Sequence, residues 1–267
     1  MLYILNLVLF SYDNDKYYTK MYNILNRYYK VFEHHKNVSV RTVFYTYREQ
    51  EEEYILDEAS NFLYIKGEKE GWHNYTKTII QKTLKAFEYF KDDLINFDYV
   101  IRNNISTIVD FALLAEELEK NPIKFYGGGI KNCLQWKGGG IEDEKWFGTE
   151  YIQGTSIIFT TEAIKYIIDN KSAIHTDIID DVTIGIFMKE NVPNIKIQDL
   201  SHKYVDVPIF VVNNYINTAG IYNMILNKYI FYRNKCRGIF CSDRNLDIQQ
   251  MDVISEFLLQ KEKNPIY

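Results

Sequence analysis

The stretch His73–Phe111 reads HNYTKTIIQKTLKAFEYFKDDLINFDYVIRNNISTIVDF. Its first half carries Tyr75, Ile79, Thr83, Phe87, Phe90 and Leu94 at helical spacing, which predicts an amphipathic helix from Asn74 that ends before Phe97. The apolar run Phe97–Ile101 then predicts a strand. A second helix is expected from about Ser106 to Lys120, with Ser106 and Thr107 as candidate N-caps and Pro122 as its stop. Helix, strand and helix in succession is the pattern of an α/β fold with a mostly parallel sheet.

The same alternation extends in both directions. Upstream, Leu2–Ser11 reads as a strand, Asp15–Phe32 as a helix, Val38–Tyr45 as a second strand, Glu49–Ser60 as a short acidic helix and Phe62–Ile65 as a third strand. Downstream, the glycine triplets Gly127–Gly129 and Gly138–Gly140 read as turns around a short strand at Cys133–Trp136. There follow a strand at Ser156–Phe159, a helix at Glu162–Asn170, a helix opening near Asp181, and short strands at Ile195–Leu200 and Ile209–Val212. Leu246, Met251, Ile254, Phe257 and Leu258 mark one face of a terminal helix. No repeat or Pro-rich linker interrupts the pattern, so residues 1–267 are expected to form one domain.

Composition narrows the function classes. The chain is 46% hydrophobic and 25% charged, the balance of a globular protein and not of a disordered one. A net charge of −5 with no Lys/Arg block argues against nucleic acid as a partner. The opening MLYILNLVLF lacks a basic flank and a cleavage site and reads as a buried strand, and no run reaches the roughly 18 to 20 apolar residues of a membrane anchor. Cys133, Cys236 and Cys241 are too few and too irregular for a disulfide framework or a metal cage, which fits a reduced, cytoplasmic setting. The 23 tyrosines suit a chain coded in an AT-rich genome as well as they suit a sugar-stacking surface.

Two blocks carry chemistry: the Lys82-Thr83 helix with the Arg102-Asn103-Asn104 strand end, and Tyr151…Gly154 followed by Asp180-Asp181-Val182-Thr183-Ile184-Gly185. In order and spacing these resemble the donor and catalytic blocks of inverting glycosyltransferases of the Fringe and beta-1,3-galactosyltransferase kind. The resemblance covers residues 62 to 190 best, with Tyr232-Arg233 and Arg244…Asp247 as weaker matches beyond. It implies a Rossmann-like GT-A fold, a central mixed, mostly parallel sheet flanked by helices. It also implies transfer of a sugar, with inversion, from a nucleotide-sugar donor (a UDP sugar first) to a hydroxyl of a glycan or glycoconjugate. A microbe or a large virus glycosylating its own products would suit such an enzyme. The other reading is a catalytically degenerate module of the same fold that binds a sugar or a protein.

The resemblance assigns roles residue by residue. Asp181 takes the place of the general base and Asp180 that of its orienting neighbour; without that frame, both are candidates for capping a helix. Arg102, Asn103 and Asn104 stand where the family has a metal-binding Asp triplet, so no metal ligand set is expected, and a divalent cation, Mn or Mg, lacks its usual carboxylates here. Arg102 is then a candidate to neutralise the donor diphosphate, with a structural ion pair as the alternative. Lys82, Thr83 and Arg233 are further donor-side candidates, and the loop after the first strand offers Asp13 as a base or ribose contact. Trp136, Tyr151 and Gly154 are candidates for the acceptor side; Trp136, Trp146 and Phe147 serve equally as core or rim residues. His202 remains a possible ligand, though a lone histidine is more often structural.

Overall fold

The structure, a computed structural model, describes residues 1–11, 15–68, 75–207, 211–212, 215–235 and 244–263. In chain order the elements are β1 (Leu2–Leu9), α1 (Asp15–Tyr29), β2 (Val38–Arg48), β3 (Tyr54–Asp57), β4 (Phe62–Lys66), α2 (Tyr75–Tyr89), β5 (Tyr99–Asn104), β6 (Thr107–Val109) and α3 (Phe111–Lys120). They continue as β7 (Tyr126–Gly128), β8 (Lys131–Cys133), β9 (Glu150–Ile152), β10 (Ser156–Thr160), α4 (Thr161–Asp169), α5 (Asp180–Asn191) and β11 (Ile197–Asp199). Then come β12 (Tyr204–Asp206), β13 (Val211–Val212), β14 (Tyr215–Ile216), α6 (Thr218–Leu226), β15 (Phe231–Arg233) and α7 (Arg244–Lys263).

Eight strands form the central sheet in the order β11-β7-β10-β5-β1-β2-β4-β3. All run parallel except β10, which lies antiparallel between β5 and β7, and β3, which pairs antiparallel with β4 at one edge. This is the mixed, mostly parallel sheet expected from the alternation of elements. Buried on both faces, its strands are near-continuous apolar runs, as in LYILNLVL of β1. One apolar cluster lies on the face covered by α1, α3 and α7, with Met21, Leu25, Phe32, Phe111, Met251 and Ile254 at its centre. The other lies on the face covered by α2, α4 and α5, around Leu7, Val43, Phe87, Phe159, Ile164 and Phe187. A small sheet, β12-β15-β6, joins late residues to the segment just after β5.

Four expectations need correction. Residues 49–60 are not a helix. Tyr54–Asp57 is strand β3, because Tyr54 and Leu56 pack against the core while the turn back into β4 is closed by Asp57 and by Asn61 at φ 56°. The helix expected from Ser106 begins at Phe111, capped by Asp110, whose carboxylate accepts the Leu113 N–H at 3.0 Å. Thr107–Val109 is instead a strand, held by pairing with β15. The first glycine triplet is not a turn: Gly127 and Gly128 lie in β7, where a Cβ on Gly127 would come within 2.6 Å of the Gln198 carbonyl. The second is a turn, with φ of 121°, 55° and 88° at Gly138, Gly139 and Gly140. Finally, the short strand expected at Cys133–Trp136 is β8, Lys131–Cys133.

Helix α5 is buried nearly all round, with Val182, Ile184, Ile186, Phe187 and Met188 shared between two apolar clusters. It approaches β9 through Gly185, where an added Cβ would collide with the Tyr151 Cβ and sit 3.0 Å from the Glu150 carbonyl. Gly185→Ala must push the helix off the strand, an overpacking that costs about 1 to 3 kcal/mol. Calorimetric melting should show a loss of roughly 2 to 10 °C, against no loss for a solvent-facing glycine change such as Gly148→Asn, whose φ of 80° Asn tolerates.

Candidate active site

Side chains along β5 alternate between the two faces of the sheet, and this decides what Arg102-Asn103-Asn104 can do. Arg102 is paired in register with Leu7 and Ile157, and so points to the α2/α5 face. Asn103 points the other way. Its amide donates to the Tyr29 hydroxyl and the Thr107 carbonyl, both at 3.3 Å, and it is fully buried. Asn104 returns to the first face at the end of the strand, where its Oδ1 accepts the N–H of Ser106 at 3.2 Å and its hydroxyl at 3.0 Å.

A cleft of about 650 Å³ opens here, at the carboxyl ends of β1 and β5. Leu9, Ser11, Tyr18, Tyr75 and Ile79 line it, together with Tyr151, Trp136, Asp180 and Asp181. Arg102, Asn104, Arg233 and Lys235 lie on its walls, as does the Gln153-Gly154-Thr155 turn between β9 and β10.

Arg102 is 1% exposed, and its guanidinium forms an ion pair with Asp180 and donates to the Gly154 carbonyl. Each terminal nitrogen thus has a partner, and Nε has none among the described residues. The structural ion pair named as the alternative is formed, and Arg102 also lines the cleft. The Tyr45 hydroxyl lies against the same guanidinium and shares a 2.9 Å hydrogen bond with Thr83. Burial raises the Tyr45 phenol above its usual range, so it stays neutral beside the ion pair.

Lys82 and Thr83 are fully buried and do not line the cleft. Lys82 Nζ donates to the Phe10 carbonyl at 2.6 Å, tying α2 to the end of β1, and Thr83 reaches Arg102 only through Tyr45. Arg233, buried at 4% exposure, donates to the Thr107 hydroxyl at 3.2 Å and still borders the cleft. Asp13 lies outside the described residues. Tyr45 and Lys235 carried no signal in the sequence reading. Tyr45 was visible only as the last residue of a predicted strand, and Lys235 only as the second residue after Arg233.

Asp180 and Asp181 occupy the first turn of α5, but the N-cap position is Ile179, so neither caps the helix with its side chain. The partial positive charge of the helix start favours both carboxylates. Asp181 Oδ2 accepts the Gly154 N–H at 2.8 Å and Oδ1 accepts the Val182 N–H at 2.9 Å. Gly154 thus holds both members of the site: its carbonyl takes Arg102 and its N–H takes Asp181. A Cβ there would sit 3.0 Å from an Arg102 nitrogen. Burial first, and the Asp180 charge second, push the Asp181 carboxyl up from 3.8 to about 6. Tyr151, across from it, has its phenol raised by burial and by the Asp181 charge.

The family's cation does not fit these residues. At the end of β5 stands an ion-paired guanidinium, the Asn103 side chain faces away, and the Asn104 oxygen already accepts two hydrogen bonds. Among the described residues no group of three His, Cys, Asp or Glu could hold a metal ion. His202 stands exposed on the Ser201–Lys203 turn and does not line the cleft.

The two aspartates should respond oppositely to neutralisation. Asp180→Asn leaves the buried Arg102 charge without its partner and should cost about 3 to 5 kcal/mol. Asp181, with its folded pKa raised, contributes stability that is fully present below about pH 3.8 and lost as pH rises through about 6. Melting curves between pH 4 and 8 should therefore show Asp181→Asn gaining on the wild type as pH increases. A pH-independent difference between the two would remove Asp181 from its buried setting.

No family model matches the chain, and no curated protein matches it. Three solved structures align along most of it. A glycosyltransferase involved in the glycosylation of the major capsid of PBCV-1 is 10% identical, over 93% of this chain and 98% of its own, with a TM-score of 0.46. The galactosyltransferase LgtC in complex with donor and acceptor sugar analogs is 11% identical, over 97% and 96%, with a TM-score of 0.45. An active-site mutant of LgtC is 12% identical, over 94% and 95%, with a TM-score of 0.43.

Proposed function

We propose that this protein is a glycosyltransferase that moves a sugar from a nucleotide-sugar donor to a hydroxyl acceptor with inversion, using Asp181 as general base and no metal ion. One observation carries the reading: a carboxylate with its pKa raised to about 6 faces the cleft, held by the Gly154 N–H beside a neutralised Arg102–Asp180 pair. At pH 7 such a group is about nine-tenths ionised yet far more basic than an ordinary aspartate, the property a base needs. The resemblance of Tyr151…Gly154…Asp180-Asp181 to the family's catalytic block supports the same assignment.

In the proposed step the acceptor oxygen attacks the anomeric carbon, its proton passes to Asp181, and the bond to the nucleoside diphosphate breaks with its electrons leaving on the phosphate. Each carboxylate oxygen has a second lone pair beyond the N–H it accepts, so Asp181 takes the proton without giving up its positioning bonds. Arg233 and Lys235, on the cleft wall, supply positive charge for the leaving diphosphate. The apolar and aromatic lining from Leu9, Tyr18, Tyr75 and Ile79 suits a nucleoside, with a UDP sugar as the first donor to try.

The replaced metal position also suits a degenerate module that binds without turnover, and kinetics separates the two. Hydrolysis or transfer from UDP sugars should be measurable and unaffected by EDTA, rising with pH through about 6. Asp181→Asn should lower turnover by about two to four powers of ten with donor affinity nearly unchanged. Donor binding by calorimetry with no turnover by the wild type would establish the module in place of the enzyme, and abolition by EDTA would restore the cation.

A further inference from the structure

A groove of about 330 Å³ lies between α6 and α7 and shares no lining residue with the cleft. Its walls are mainly carbon, from Tyr222, Ile225 and Leu226 of α6 and Phe257 of α7. Tyr222 and Leu226, four residues apart on one helix face, are 40% and 49% exposed, and the Tyr222 ring tilts against Phe257 with 5.4 Å between centroids. A contiguous apolar surface of this kind, unlike a single scattered leucine, marks a place where something binds.

The charged groups on the groove have one sign. Its polar lining is Lys228, Lys261 and Gln260, with no carboxylate. The α6 segment adds none, since the chain carries no Asp or Glu from Tyr215 to Lys235. The nearby acids of α7 are engaged elsewhere: Asp252 and Glu256 with Arg27, each at 2.8 Å, and Glu262 with His35 at 3.1 Å. Lys261 gives one of its three N–H donors to the buried Asp110 carboxylate at 2.8 Å and keeps two. Lys228 pairs with no carboxylate among the described residues. Its backbone is fixed, because it closes α6 at φ 58° with its N–H on the Ile225 carbonyl at 3.0 Å.

A carbon wall with cations at its edge selects a molecule that is apolar along its length and negatively charged at one end. The volume is at the lower limit of ligand sites, about 300 to 1,000 Å³, a size for one chain and not for a partner helix about 10 Å across. We propose that the α6/α7 groove binds a single anionic amphiphile, with its alkyl chain along Tyr222, Leu226 and Phe257 and its head at Lys228 and Lys261. This goes beyond the glycosyl-transfer reading and does not depend on it, because the groove is separate from the cleft.

The test is NMR titration of the nitrogen-15-labelled full chain with octanoate, octan-1-ol, octylammonium and decanoate as dissolved monomers, with inorganic phosphate, and with phosphatidylglycerol vesicles. Octanoate should shift the Tyr222, Leu226 and Lys228 amides saturably. It should bind about two- to fivefold more tightly than octan-1-ol, and octylammonium less tightly than either. The two further methylenes of decanoate should tighten binding about tenfold. Lys228→Gln should remove most of the preference for octanoate over octan-1-ol, whereas Leu226→Gln should weaken both alike. Both positions are exposed, so the variants should melt as the wild type does. No saturable shift at these amides would overturn the proposal, as would equal affinity for octanoate and octylammonium, or octanoate affinity unchanged in both variants. Vesicle binding without octanoate binding would make the groove a membrane-facing surface, and phosphate shifting the same amides as strongly as octanoate would make it a bare anion site; either removes the amphiphile. Donor hydrolysis is read at no step, so the transferase reading stands or falls separately.

Discussion

The Arg102–Asp180 ion pair is the interaction on which the site depends. It lies in a near-solvent-free position and joins the end of β5, the turn before β10 and the first turn of α5, three segments far apart in the sequence. Removing a guanidinium and a carboxylate from water costs several kcal/mol each, and their attraction offsets this only when further hydrogen bonds complete the shell. Here the Gly154 carbonyl does so, and the Tyr45 hydroxyl, held by Thr83, lies against the guanidinium. The pair is consequently better understood as a device that fixes geometry than as a large source of stability.

Its electrostatic consequence falls on Asp181. Two adjacent carboxylates in one helical turn would repel strongly if both were uncompensated. Arg102 answers the charge of Asp180, so the second carboxylate ionises near neutrality instead of being forced neutral, and the Gly154 and Val182 N–H groups hold it within reach of that range. The separation of roles between two neighbouring aspartates thus follows from which of them meets the arginine.

Much of the fold was legible because long apolar runs and helical spacing are local: β1, β2, β4, β10, α2 and the terminal helix lie close to where the pattern put them. Two of the failures share a cause, pairing with distant residues. Thr107–Val109 is a strand because of Phe231–Arg233, and Gly127–Gly128 because of β10 and β11, and nothing within either local window announces those partners. At the site, the sequence singled out Arg102, Asp180, Asp181 and Gly154, which the structure brings together. It missed that strand alternation sends Asn103 to the opposite face, although a period of two was readable from the sequence. Which cation faces the cleft was not readable, since that turns on Arg102 finding a carboxylate 78 positions later.

The end of β5 carries Arg102, Asn103 and Asn104, and the Arg102 charge is met there by Asp180. A second buried arginine, Arg233, reaches the cleft wall from β15, a strand that owes its position to register pairing of Phe231, Tyr232 and Arg233 with Val109, Ile108 and Thr107. The segment that the sequence presented as the opening of a helix is a strand because it pairs with β15, and the Thr107 hydroxyl also accepts from the Arg233 guanidinium, fixing a buried arginine on the wall of the cleft.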